Sequence, residues 1–133
     1  MAIFIDSSVF CAYANSRDVH HKNARKIISD IMAGKHENGI TTDYIFDETV
    51  TVTKRKANSK TAAEIGKFLL DSEIFIAKID SMVFQKSWQL FQVNDLSFTD
   101  CSNIAFMDLF GILKIATFDK GFKDIKSVQV IEN

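Results

Sequence analysis

Two short apolar runs that each stop at an aspartate constrain the fold of this chain most. Ala2 to Ile5 ends at Asp6, and Leu113 to Phe118 ends at Asp119. The first is apolar throughout rather than alternating, which fits a strand covered on both faces. Between the two, strand-like and helix-like segments alternate. Ser7 or Ser8 is positioned to cap a short helix through Tyr13, and Asp18 to cap a second. In that second helix Ala24, Ile27, Ile28 and Ile31 make an apolar stripe, and Gly34 ends it. Gly39 to Thr42 reads as a strand, and Asp43 to about Lys56 as a helix despite its β-branched TVTVT run. Ser59 would cap a helix through Leu70, Asp80 one through about Val93, and Thr99 one ending near Gly111. On the last of these Ile104, Met107 and Phe110 make the apolar stripe. Glu73 to Ile79 and Val128 to Ile131 complete the strands. Such alternation predicts an α/β fold, a three-layer α/β/α sandwich with a mainly parallel central sheet. In these sheets the functional crevice lies beyond the carboxyl ends of the strands, where Asp6 and Asp119 sit.

The chain has 133 residues, which predicts one domain with a core of its own. Hydrophobic residues make up 47% and charged residues 25%, against wholesale disorder. A net charge of −1 excludes a protein that coats nucleic acid through bulk basicity and leaves room for a local patch. Cys11 and Cys101 make neither a disulfide framework nor a CxxC zinc site, and read as reduced thiols suited to a cytoplasm. The opening MAIFIDSSVF carries Asp6 inside its apolar run and no basic stretch, unlike a signal peptide. No apolar run approaches the roughly 18 residues of a membrane span.

Four acids are placed unusually. Asp6 and Asp119 end strands. Glu48 lies between Ile45 at i−3 and Val52 at i+4, on the core-facing stripe of its helix, whereas Asp47 points roughly 100° away. Asp100 stands in the first turn of its helix. Each has a plain structural reading: a dipole complement for Asp100, a turn former for Asp119. Together they would crowd one crevice with like charges, and a divalent cation resolves that repulsion. Oxygen-only donors favour Mg²⁺ or Mn²⁺ over zinc. Neither GxxxxGK[ST] nor GxGxxG occurs, which argues against nucleotide-dependent chemistry and for hydrolysis of a phosphate ester.

At these residues the chain resembles the PIN-domain ribonucleases, in particular the VapC-like toxins. The resembling segments are IFIDSSVF, DYIFDETVTV, LSFTDCSNIAFM and IATFDKGF, in that order, and they carry Asp6, Glu48, Asp100 and Asp119. The resemblance implies a PIN-like fold and an endoribonuclease that uses Mg²⁺, with Mn²⁺ as substitute. It also implies RNA as substrate, 5′-phosphate and 3′-hydroxyl products, a homodimer, and often a small antitoxin protein as partner. Phe118 stands where that family commonly has a polar residue. Asp108, an additional acid on the Asp100 helix, reads as solvent-facing rather than as a ligand.

Ser8 and Thr117 are candidates to support the acids from behind, against plain readings as helix cap and strand former. Lys54, Arg55, Lys56 and Lys60 make a basic cluster that would attract RNA phosphates or simply cap a helix end. His20, His21 and His36 lack zinc-pair spacing and read as surface residues. Cys101 reads as a small buried hydrophobe. Val83, Phe84, Trp88 and Phe91 read as core or dimer surface. Two other readings remain open at this point. One is a haloacid-dehalogenase-like phosphatase with Asp6 as nucleophile, although Ser8 stands where that chemistry wants a second aspartate. The other is a non-catalytic RNA- or protein-binding module.

Overall fold

The computed structural model describes residues 2–133. Five strands form one sheet: β1 (Ala2–Ile5), β2 (Asn38–Thr42), β3 (Phe75–Ala77), β4 (Lys114–Ala116) and β5 (Gln129–Ile131). Helices α1 (Ser7–Ala14) and α2 (His21–Met32) join β1 to β2. Helices α3 (Asp43–Lys56) and α4 (Ser59–Asp71) join β2 to β3, and α5 (Ser81–Val93) and α6 (Phe98–Phe110) join β3 to β4. A 3₁₀ turn at Lys120–Asp124 leads into β5. The strand order is β3-β2-β1-β4-β5, and every pairing is parallel.

The chain therefore winds outward from β1 to β3 and then returns to the other side of β1. Right-handed crossovers put α1 to α4 on one face and α5 with α6 on the other. The packing agrees: α1 touches α2, α3 and α4, while α5 and α6 pack on each other. This is the expected three-layer sandwich, and its sheet is wholly parallel. The direction of winding reverses between β1 and β4, where Ile5 pairs with Ala116. Parallel α/β sheets open a crevice at such a point.

Ile3, Phe4 and Ile5 are fully buried, as an unalternating central strand requires. Phe4 packs against Phe106 with ring centroids 5.8 Å apart, which locks α6 over β1. Phe4→Ala would cost about 3–5 kcal/mol from the lost transfer energy and the cavity left behind. The α2 stripe of Ala24, Ile27, Ile28 and Ile31 is buried, and Gly34 ends the helix at φ +79°, a conformation that a side chain would strain.

Several local expectations are corrected. Asn58, not Ser59, caps α4, its Oδ1 accepting the Thr61 N–H at 2.7 Å. Ser97, not Thr99, caps α6, accepting the Asp100 N–H at 3.0 Å. Asp18 closes a turn by accepting the His20 N–H at 2.8 Å, and α2 starts only at His21. Neither Ser7 nor Ser8 caps α1, because both hydroxyls are engaged by acids. Strands β3 and β4 are shorter than the segments expected, since pairing reaches only Phe75–Ala77 and Lys114–Ala116. In the TVTVT run, Thr49 and Thr53 are buried on α3, so packing overrides β-propensity there. On α5 only Val83 is core. Phe84, Trp88 and Phe91 are 49%, 51% and 40% exposed, which removes the core reading for all three. Phe110 is exposed as well, because α6 turns Ala105, Phe106 and Met107 inward instead.

Candidate active site

Asp6 follows β1 at the reversal point, and its N–H donates to Ala116 O at 3.0 Å. Its side chain is only 3% exposed. Three donors hold the carboxylate. Thr117 Oγ1 at 2.8 Å and Ser8 Oγ at 3.0 Å meet Oδ2, and Asn103 Nδ2 meets Oδ1 at 3.1 Å. Burial pushes the Asp6 carboxyl above its ordinary value, the Thr117 and Ser8 hydroxyls pull it back, and the charge of Glu48 pushes it up again.

Glu48 reaches the same region from α3. Ile45 is buried and seats the helix, which leaves Glu48 half-buried and Asp47 exposed. The Ser7 hydroxyl donates to Glu48 Oε1. Asp47 turns outward and accepts from Thr51 Oγ1 at 3.4 Å.

Asp100 lies in the first turn of α6 and is half-buried. Its carboxyl is pushed up to about 7, first by burial, then by the charges of Asp6 and Asp119 and a hydrogen bond shared with Asp119. Asp119 itself is exposed. Its N–H donates to Thr117 Oγ1 at 3.0 Å, and its Oδ1 accepts the Gly121 N–H at 2.9 Å. The plain reading of Asp119 as a turn former thus holds alongside its contact with Asp100.

The four predicted acids are therefore chained: Glu48 acts on Asp6, and both Asp6 and Asp119 act on Asp100. Among the described residues, no three His, Cys, Asp or Glu groups stand together as a formed metal cluster. The donor set still fits a hard divalent cation, because it is all oxygen and Asp100 must share a proton where no counter-charge is bound.

Ser8 and Thr117, the predicted supports, both contact Asp6, and Ser8 Oγ also accepts the Phe118 N–H at 3.0 Å. The sequence reading missed Ser7, Asn103 and Gly121. Asn103 had one signal, its i+3 spacing from Asp100 on one helix face. Ser7 and Gly121 had none beyond adjacency to an acid.

The basic cluster is dispersed, because successive helical residues point roughly 100° apart. Arg55 alone of the four lines a hollow that Glu48 also borders, together with Tyr44, Asp47 and Phe98. Lys54 lines a groove between α3 and α4, Lys56 a hollow beside Arg17 and Asn58, and Lys60 is exposed. The histidines are not simple surface residues. His20 is exposed but stacks on Phe118 at 4.4 Å, His21 is half-buried with Nδ1 2.7 Å from Ala12 O, and His36 is half-buried. Cys101 is fully buried and its thiol is pushed up by that burial, as suits a packing residue. Asp108 is exposed and pairs with Lys86.

The chain, a wholly parallel α/β sheet with carboxylates gathered at its reversal point, matches one family model. That model, the PIN domain, covers residues 3–128, and the chain belongs to the PIN domain family. Nucleases of this family generally depend on a divalent metal. The chain is similar to the 23S rRNA-specific endonuclease VapC20 of Mycobacterium tuberculosis, 24% identical over 131 residues, or 96% of this chain and 97% of that protein. It is 29% identical over 129 residues to a VapC ribonuclease of Archaeoglobus fulgidus, covering 92% of this chain and 80% of that one. The crystal structure of VapC20, described as a Sarcin-Ricin loop cleaving toxin, superposes with a TM-score of 0.84 at 23% identity, over 93% of this chain and 95% of that one. VapBC2 of Rickettsia felis, solved with a DNA fragment from its promoter, shares the fold with a TM-score of 0.70 at 10% identity, over 98% of each chain. The expected VapC-like resemblance is borne out. Among the described residues no helix is long and apolar enough to cross a membrane.

Proposed function

We propose that this chain, acting as one domain, is an endoribonuclease that hydrolyses RNA phosphodiesters with Mg²⁺, or Mn²⁺ in its place. It serves as the toxin of a toxin–antitoxin pair, in the cytoplasm. The observation that carries this reading is Asp6: a buried carboxylate at the reversal point, held by three donors and facing two further acids. The similarity to VapC ribonucleases over almost the whole chain supports the RNA substrate and a small antitoxin partner. A homodimer is part of the same reading.

Asp6, Glu48, Asp100 and Asp119 would hold the cation, directly or through water. The cation supplies Lewis acidity toward water and the phosphate oxygens. The Thr117 and Ser8 hydroxyls favour the ionised form of Asp6 against the burial that raises it, and Ser7 aims Glu48. The carboxylates would also accept the proton of an attacking water. Arg55, beside Glu48, would meet an RNA phosphate. Products carry 5′-phosphate and 3′-hydroxyl ends.

The phosphatase reading is weakened by Ser8, which stands where that chemistry wants a second aspartate and instead donates to Asp6 Oδ2 at 3.0 Å. The test is incubation with a mixed RNA panel in Mg²⁺, Mn²⁺ or EDTA, beside Asp6→Asn. Cleavage in either cation that is lost in EDTA and in the variant supports the reading. No cleavage in any arm, with RNA still bound, favours a binding module.

A further inference from the structure

Asn103 is fully buried on α6, three residues beyond Asp100 and on the same face. Its Nδ2 donates to Asp6 Oδ1 at 3.1 Å. That bond fixes which end of the amide is left over, since the opposite orientation would set an acceptor against a carboxylate. The left-over atom, Asn103 Oδ1, is buried without a hydrogen-bond partner. Among the described residues only Thr49 Oγ1, next to Glu48 on α3, shares that condition. An apolar side chain would leave no orphaned oxygen here, so the amide is costly for packing alone. A water held by a cation presents its hydrogens outward, and Asn103 Oδ1 is an acceptor with nothing yet to accept.

We propose that Asn103 is a positioning residue of the cation site: Nδ2 fixes Asp6, and Oδ1 accepts from a water that arrives with a hydrated divalent cation. This rests on the reading of the four acids as a cation site. The test is titration of the full chain with Mn²⁺, followed by loss of the free-ion electron paramagnetic resonance signal, together with melting curves in EDTA. Asn103→Ala and Asn103→Leu should weaken Mn²⁺ binding by at least about tenfold, the scale of lost supporting hydrogen bonds at metal sites. The melting curves in EDTA show whether each variant still folds, since both remove the orphaned oxygen and the Asp6 donor together.

Wild-type affinity in both Asn103→Ala and Asn103→Leu, with Asp6→Asn losing Mn²⁺, would overturn the role of Asn103 and leave the cation site standing. Lower melting temperatures with unchanged affinity would do the same. If one variant does not fold, the other decides; if neither folds, Asn103 is structural and the proposal fails. Absence of Mn²⁺ binding by wild type would overturn the cation site and this inference with it.

Discussion

Thr117 Oγ1 stands 2.8 Å from Asp6 Oδ2 and joins the residues that follow β4 and β1 across the point where the strand order reverses. The same hydroxyl accepts the Asp119 N–H at 3.0 Å. One side chain thus places two of the four acids. Thr117→Val keeps the shape and removes both bonds. It should weaken cation binding by about 10- to 100-fold, the range for lost supporting bonds at metal sites. Thr117→Ser should retain most of the affinity. Mn²⁺ titration of the two variants checks this, and wild-type binding by Thr117→Val would reduce the hydroxyl to a packing role.

Glu48 and Asp47 are neighbours in sequence that differ in burial and in partner. Glu48 is half-buried and takes the Ser7 hydroxyl, whereas Asp47 is exposed. Glu48→Gln should lower single-turnover cleavage by at least about 10²-fold, equivalent to about 2.7 kcal/mol of transition-state stabilisation. Asp47→Asn should leave the rate near wild type. A reversed pair of effects would mean that the helix presents the wrong face to the crevice.

In EDTA the fold should lose stability as the pH rises. The Asp100 carboxyl stands at about 7 in the folded chain against an ordinary 3.8, so the folded state keeps a proton that the unfolded state releases. That contribution is fully present below 3.8 and gone once the pH passes about 7. Asp6 is shifted in the same direction. Melting curves in EDTA from about pH 5 to about pH 8 should show a falling melting temperature. Asp100→Asn should flatten that slope, and Mn²⁺ should reverse it in wild type by binding the ionised acids. A melting temperature that rises with pH in EDTA would contradict the raised carboxyls.

Much of this was legible in the chain before its structure. The unalternating run into Asp6 announces a central parallel strand, and the i−3, i+4 neighbours of Glu48 separate it from Asp47. What stayed hidden depends on contacts distant in sequence. Asn103 reaches Asp6 from 97 residues away, and Ser7 reaches Glu48 from 41. Local capping rules mislead at Ser7 and Ser8 because tertiary partners claim their hydroxyls. The basic cluster looked like one patch in a linear string, but helical geometry sends its members to different faces.

That dispersal makes Arg55 and Lys54 separable. Arg55 lines the hollow that Glu48 borders and Lys54 lines the α3–α4 groove. Arg55→Ala should weaken RNA binding and flatten its salt dependence by roughly one unit of log slope, as for one lost phosphate contact. Lys54→Ala should change the slope little. Filter binding of one RNA over a range of salt concentrations decides, and equal slopes for both variants and wild type would leave the RNA path elsewhere.

The central claim is that the Asp6 constellation performs cation-dependent hydrolysis of RNA. Mapping the ends of RNA cleaved by wild type and Asp6→Asn, in Mn²⁺ and in EDTA, tests it most directly. The account predicts 5′-phosphate and 3′-hydroxyl ends from wild type in Mn²⁺ and none in the other three arms. Ends bearing 2′,3′-cyclic phosphate, or full cleavage in EDTA, would contradict it.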